Sequence, residues 1–241
     1  MDLKEKSIFE QYNVDPEKSW WEYSRIKLLK HYFPGIFRST EKLKILDFGA
    51  GAAITSKKIA RQNAQNQIIA YDIGYERNHT DQNLENLSYI KKVKKDHYDV
   101  ILCMDVLEHI ENEEEAIKDI KNMMDETTTL LVTVPAHQWL WSSHDEFLDH
   151  KRRYSKDGLK SLLEKHFDLE LFEYHFSLLF WPAAIYRYLF QKSKKQNLRP
   201  AGAVVNFILK RVMDVEYSKI NIFRKLFGLS LVARCRQKRV A

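Results

Sequence analysis

The chain predicts an α/β fold: a seven-stranded, mostly parallel sheet with helices on both faces. Three features carry that expectation. Short apolar runs alternate with helical patterns through the first three-quarters of the chain. The runs at 99–104 (DVILCM) and 129–134 (TLLVTV) have the length and composition of buried strands. A glycine-containing turn joins the first apolar run directly to a helical segment.

The elements follow in order. Residues 19–33 place Trp20, Tyr23, Ile26, Lys27 and Lys30 around an amphipathic helix, which Pro34 and Gly35 end. Lys44–Phe48 (KILDF) is the first strand and 53–61 the helix after it. Residues 67–72 (QIIAYD) and Leu87–Ile90 are the second and third strands, and 99–104 the fourth. Residues 113–124 carry Ala116, Ile117, Ile120, Met123 and Met124 at helical spacing, with acids in the first turn. Strand five, 129–134, leads into a polar, aromatic stretch at 135–154. A helix at 156–166 and a strand at 168–174 come next. The run 176–186 is the most apolar and is uncharged. It is only about half of a membrane span, and Pro182 interrupts it, so it should lie on a membrane or under another helix. Residues 192–199 read as a loop, 203–213 as a short amphipathic segment, and 229–236, after Gly228, as the last strand.

Bulk properties narrow the class. The 241 residues are 44% hydrophobic and 30% charged, enough for a core and a solvated surface. Seven glycines and five prolines exclude collagen-like and low-complexity chains. The two cysteines, Cys103 and Cys235, have no metal-type spacing and make no disulfide framework, which suits a reducing cytoplasm. The N-terminal MDLKEKSIFE has no secretory apolar stretch. Charge is unevenly spread. Residues 1–186 hold 25 Lys+Arg and 31 Asp+Glu, and residues 187–241 hold 14 and 2, so a −6 body carries a +12 tail. That asymmetry points to an anionic partner, membrane or nucleic acid, or to a merely solvated basic surface. The tail lacks the interleaved aromatics of a single-strand binder, which ranks nucleic acid lower.

The turn Asp47-Phe48-Gly49-Ala50-Gly51-Ala52-Ala53 closes one strand and opens a helix. Its glycines let backbone approach a ligand, and the helix start adds unpaired amide donors. Asp72 ends the next strand, where folds of this kind hold ribose hydroxyls. The turn departs from the dinucleotide fingerprint: an acid precedes the first glycine, and Ala53 stands at the third glycine position. An NAD-linked oxidoreductase is therefore disfavoured.

Asp47 with Gly49 and Gly51 resembles the first motif of class I S-adenosylmethionine-dependent methyltransferases, and Asp105-Val106-Leu107-Glu108-His109-Ile110 resembles the fourth-strand ending of their type-11-like bacterial members. The stretch from Val134 through Glu146, the HKRRY at 150–154, the Trp20, Trp21 and Arg25 of the first helix, and the closing FGLSLVAR are similar as well. The resemblance implies a Rossmann-like sheet with a helical insertion before its last strand. It divides the chain into a cofactor domain, 1–175 plus 228–241 with an N-terminal helical cap, and a basic insertion, 176–227, that serves as lid, dimer contact or membrane-surface contact. It implies that Asp47, Gly49, Ala50 and Gly51 face the amino-acid end of S-adenosylmethionine and that Asp72 binds its ribose. Ile73, Met104, Asp105, Val106, Trp21 and Arg25 complete the implied cofactor set. Lys91 and Lys92 stand where a third-strand acid often positions adenine.

Methyl transfer asks mainly for alignment, and a base helps when the acceptor is a hydroxyl. His109, His144 and His150 are the candidate catalytic imidazoles, with His137 nearby in sequence. In a second arrangement, which resembles metal-dependent O-methyltransferases, Glu108, His109 and His150 bind a divalent cation such as Mg²⁺, Mn²⁺ or Fe²⁺. In a third, Glu108 and His109 only cap the following helix. Trp141, Arg152 and Tyr154 are candidate substrate contacts, and Arg152 and Arg153 equally suit surface pairs with Asp145 or Asp149. The function expected is S-adenosylmethionine-dependent O-methylation of a small-molecule, glycan or lipid-linked acceptor, in the cytoplasm or at a membrane surface. The alternatives are an RNA methyltransferase and a non-catalytic cofactor-binding domain.

Overall fold

The computed structural model describes residues 2–190, 199–218 and 222–238. Its helices are α1 (Leu3–Gln11), α2 (Trp20–Tyr32), α3 (Gly35–Arg38), α4 (Ile54–Gln62), α5 (Glu113–Met123), α6 (Ser143–Phe147), α7 (Lys156–Glu164), α8 (Ser177–Phe190) and α9 (Ala203–Glu216). Its strands are β1 (Lys44–Phe48), β2 (Gln67–Tyr71), β3 (His79–Thr80), β4 (Leu87–Ile90), β5 (Val100–Met104), β6 (Thr129–Pro135), β7 (Phe167–His175) and β8 (Ser230–Gln237). They form one sheet in the order β3-β4-β2-β1-β5-β6-β8-β7. The sheet has eight strands where seven were expected. The extra one, β3, is a two-residue, fully exposed edge strand antiparallel to β4, too short and too polar to register as a hydrophobic period. The helix α1 was also not anticipated; Ile8 is buried on it.

The chain divides into two compact units. The first runs through Leu102 and takes in Arg199–Ser218. In it β1 pairs in parallel with β2 on one side and with β5 on the other. The strand order therefore reverses at β1, and the carboxyl end of β1 is the topological switch point at which open α/β sheets bind ligands. Ile45, Leu46, Ile68, Ala70, Ile101 and Leu102 are fully buried, as parallel strands covered on both faces require. Ser19 caps α2 by accepting the Glu22 N–H at 3.2 Å, and Lys30 and His31 sit in its last turn, favourably for the helix dipole. Helix α9 packs on α2.

The second unit holds β6 and the antiparallel pairs β6–β8 and β7–β8. All seven residues of β6 are buried. Asn112 caps α5, and Ser155 caps α7. Gly228 enters β8 where a Cβ would stand 2.4 Å from the His175 carbonyl oxygen, so only glycine fits. One side of the apolar run at 176–186 is core: Phe180 and Ala184 pack with Leu140, Phe227 and Leu229. The other side leaves Trp181, Ile185 and Tyr186 exposed. The segment 176–227 is thus shared, α8 belonging to the second unit and α9 to the first. Of the expected loop at 192–199, all but Arg199 lies outside the described residues. Both cysteines are buried, and burial pushes the Cys235 thiol well up. Among the described residues, no helix is long and apolar enough to cross a membrane.

Candidate functional site

In the first unit the turn after β1 folds over the end of β2. The Gly49 and Ala50 N–H groups donate to the Tyr71 carbonyl at 2.9 and 2.8 Å. Gly49 (φ 74°) and Gly51 (φ 53°) take left-handed backbone, which costs glycine little. Ala53 also takes it (φ 53°) and is fully buried. The turn and the second-strand acid meet: Gly51 N–H donates to Asp72 Oδ2 at 2.8 Å. Asp72 Oδ1 accepts the Gly74 N–H at 2.8 Å. Each carboxylate oxygen keeps a lone pair for a further donor, such as one hydroxyl of a cis-diol. Beside it Ile73 is 75% exposed, an apolar surface next to a diol-binding acid.

Asp47 is 5% exposed and accepts the Ser56 hydroxyl. Burial raises its pKa, and Ser56 and the Arg25 guanidinium hold it down in part. Glu22 is fully buried and accepts the Thr55 hydroxyl at 2.9 Å. Burial opposes its charge, and neighbouring cations, Arg25 among them, more than offset this, so its pKa is lowered. Arg25, anticipated in the cofactor set, thus stands over two buried carboxylates, Asp47 and Glu22. Trp21 lies edge-to-face with Trp20, 5.7 Å between ring centroids. Tyr75 was not anticipated. Its hydroxyl is buried without a hydrogen-bond partner, and burial with Asp47 and Asp72 nearby raises its pKa strongly. A buried phenol that lacks a partner and stands near two acids is a donor held ready for a ligand. Glycine turn, paired acids and waiting donor fit an adenosyl amino acid.

In the second unit Met104 ends β5, and Asp105 takes positive φ (57°), donating N–H to the Thr133 carbonyl at 2.9 Å and accepting the Thr133 hydroxyl at 3.0 Å. Val106 precedes a 3₁₀ turn, Leu107–His109, that carries Glu108 and His109. One ligand-type atom each of Glu108, His109 and His150 lies within 4.8 Å of the others. The His109 and His150 rings meet edge-on at 4.6 Å. The Lys151 N–H donates to the Glu108 carbonyl at 2.7 Å, which ties the two loops together. His150 follows Asp149, whose positive φ (56°) turns the chain. Metal–ligand bonds of about 2.0–2.2 Å set three ligands of one ion roughly 3.0–3.6 Å from one another, so at the 4.8 Å limit the trio must draw together to chelate.

Asp145 organises that trio from behind. It is fully buried on α6 and binds Arg153 through both oxygens, Nε to Oδ1 at 2.7 Å and Nη2 to Oδ2 at 3.0 Å. Oδ1 also meets His150 Nδ1 at 3.0 Å, and Oδ2 accepts the Ser142 N–H and hydroxyl at 2.8 and 3.0 Å. Burial opposes its charge, but His150 and Arg153 hold its pKa far below the usual carboxylate range. With Nδ1 occupied, His150 has Nε2 left to act as a base or a ligand. The Arg153–Asp145 pair entertained on the surface is a buried one. His144, in contrast, is exposed on α6. Arg152 pairs with Glu113 at 2.8 Å and donates to the Glu111 carbonyl. The Tyr154 hydroxyl donates to Glu113. Trp141 is half-buried. His137, at φ 63°, stacks on Tyr174 at 5.5 Å, and burial lowers its pKa.

Residues 20–174 match the family profile described as methyltransferase domain. The ubiquinone biosynthesis O-methyltransferase of Yersinia pestis is 26% identical over 141 residues, 45% of this chain. The match spans 56% of that curated relative, so the chain covers about half of its length. Among solved structures, Haemonchus contortus phosphoethanolamine N-methyltransferase 2 in complex with S-adenosyl-L-methionine superposes with a TM-score of 0.52 at 12% identity, over 91% of this chain and 53% of that one. Burkholderia thailandensis 1,6-didemethyltoxoflavin-N1-methyltransferase, with S-adenosylhomocysteine bound, gives 0.51 at 13% identity, over 93% and 80%. These likenesses bear on fold. The profile covers well over half of the chain, and with the glycine turn and Asp72 joined at the switch point, the chain belongs to the class I S-adenosylmethionine-dependent methyltransferase family.

Proposed function

We propose that this chain methylates an oxygen of a small-molecule, glycan or lipid-linked acceptor, using S-adenosylmethionine held by the first unit. The observation that carries the reading is the 2.8 Å bond from Gly51 N–H to Asp72, which brings the motif turn and the ribose acid to one place. Asp47, Gly49, Ala50 and Gly51 would hold the amino-acid end, with Arg25, Trp21 and Tyr75 near it, and Asp72 and Ile73 the adenosine. Met104, Asp105 and Val106 remain the implied contribution of the strand that ends in the second unit. Bound there, the cofactor supplies an electrophilic methyl on a sulfonium. The oxygen-directed choice is supported by the named activity of the Yersinia relative. The exposed apolar side chains of α8 and α9, with the basic sequence of 187–241, support work at a membrane surface. Calorimetric titration tests the cofactor: S-adenosylhomocysteine is expected to bind and NAD not to, and the opposite pattern ends the reading.

For the proton, His150 is the candidate base: Asp145 holds Nδ1, so Nε2 can take the acceptor's hydroxyl proton. A second reading is favoured by the clustering of Glu108, His109 and His150. Those three would hold a divalent cation, whose charge would lower the acceptor hydroxyl's pKa. One Nε2 cannot serve both purposes, so the readings exclude each other. Turnover that survives exhaustive chelation with EDTA selects the base; turnover restored only by Mg²⁺ or Mn²⁺ selects the metal.

A further inference from the structure

Two arginines that follow His150 in the second unit are spent on carboxylates: Arg152 pairs with Glu113 at 2.8 Å and Arg153 with Asp145 at 2.7 Å. Arg187 on α8 is not. Its side is set by the helix, because positions 180, 184 and 187 recur at i, i+4 and i+7, and Phe180 and Ala184 are buried against Leu140. Arg187 extends that inward line and is half-buried there. Its Nη1 donates to the Leu140 carbonyl. Among the described residues, the guanidinium makes no other hydrogen bond and has no carboxylate within ion-pair distance. Burial and Arg153 both work against its charge, and Asp145 only partly offsets them. Asp145 has nothing more to give: a carboxylate has about four lone-pair sites, and Arg153, His150 and Ser142 already direct donors at both of its oxygens.

A positive charge drawn partly out of water without a counterion works against the fold, and such charges are kept where a ligand supplies the anion. The last turn of α8 suits a cation through the helix dipole, but a dipole contact needs neither burial nor the inward face. A guanidinium fork matches the oxygens of a carboxylate or a phosphate, and Nε and Nη2 remain for them. The charge of Arg187 reaches Asp145, the acid that holds His150 Nδ1 at 3.0 Å. An anion seated on Arg187 therefore lies in the neighbourhood of the candidate base. Trp139, one residue before the carbonyl that Arg187 holds, is 58% exposed and meets Phe180 edge-on at 6.1 Å, which offers an apolar surface to the rest of such a ligand. We propose that Arg187 recognises an anionic group, carboxylate or phosphate, on the methyl acceptor.

This rests on the acceptor-methylating reading above and narrows its substrate class. The test is NMR titration of the full chain, with S-adenosylhomocysteine present, using benzoate, phenyl phosphate and the neutral benzamide. Wild type is expected to bind at least one of the anions about tenfold or more tighter than benzamide, and the tighter of the two tells carboxylate from phosphate. Arg187→Met, which keeps an apolar stem, is expected to bind all three alike, with S-adenosylhomocysteine affinity unchanged and a melting midpoint no lower than that of wild type. Arg187→Lys, with the charge but not the fork, is expected to keep part of the preference. The proposal is overturned if wild type prefers neither anion, if Arg187→Met retains the preference, or if Arg187→Lys is as blind to charge as Arg187→Met. It is overturned as well if Arg187→Met melts well below wild type, since the guanidinium would then be a structural prop. Binding is read without turnover, which keeps the two readings separable: a labelled methyl found on nitrogen would end the oxygen-directed reading and leave the anion site standing.

Discussion

A carboxylate sealed from water stays charged only if its neighbours replace the water it lost, and Asp145 shows how completely that can be done. Arg153, His150 and Ser142 together give its two oxygens five donors. Asp145→Ala leaves Arg153 buried with the Ala136 carbonyl but no carboxylate, and breaking a buried pair from one side costs about 3–5 kcal/mol. A loss below about 1 kcal/mol in denaturant unfolding would contradict the arrangement. Asp72 calls for the opposite outcome. It is part-exposed, so Asp72→Ala should leave stability nearly unchanged but weaken S-adenosylhomocysteine by roughly 10–100-fold, the worth of hydrogen bonds to a charged acceptor. Equal affinity of variant and wild type in calorimetry would remove Asp72 from the site. These residues differ in legibility for a physical reason. Asp47, Gly49, Gly51 and Asp72 sit at strand ends, where local pattern fixes position. The junction of Asp145, His150 and Arg153 depends on a positive-φ turn at Asp149, and Tyr75 on a loop path; neither leaves a periodic trace.

Elements were legible wherever an apolar period was strong. β1, β5 and β6 fall within a residue or two of expectation because their buried faces leave no other reading. α1 and β3 were not, since each buries almost nothing. Nor does the amphipathic pattern of 203–213 tell which face turns inward, because polar bonds to α2, from Asp214 to Tyr23 and Lys27, decide it. That docking has a pH signature. Burial works against the charge of Asp214, but Lys27 and Tyr23 lower its pKa below the ordinary carboxylate value. A depressed acid contributes its stability above the unfolded pKa, about 4, and loses it as pH falls through the folded one. Protection factors of the α9 amides, measured against the intrinsic exchange rate at each pH, should therefore be high at neutral pH and fall below about pH 4. Asp214→Asn should already show faster exchange at pH 7, and a helix equally protected in both proteins would show that the pair does not hold it. Gly228→Ala acts on a different element. The added methyl meets the His175 carbonyl at 2.4 Å and Tyr174 Cβ at 2.7 Å, so β8 must shift from β7. Overpacking of this kind costs about 1–3 kcal/mol, readable as a lowered unfolding midpoint.

At the scale of the whole chain, two compact units share one sheet order, and the cofactor residues with the clearest geometry lie in the first. That division makes a prediction about how ligand stabilises the protein. Anything that binds only the folded state raises stability by RT ln(1 + [L]/Kd), about 2.7 kcal/mol at a hundredfold excess over Kd. For a chain of 241 residues, each kcal/mol moves the melting midpoint by about 2–4 °C, so saturating S-adenosylhomocysteine should raise it by roughly 5–10 °C. If the units melt separately, the shift should appear in the transition that contains Asp47, Gly51 and Asp72, and exchange protection should rise first in the turn at 47–53 and in 72–75. Asp72→Ala, with roughly 10–100-fold weaker binding, should cut the shift to about 1–6 °C at the same ligand concentration. A shift confined to the transition of the second unit, with residues 47–53 unprotected, would place the ligand away from the glycine turn and refute the geometry on which the cofactor assignment stands.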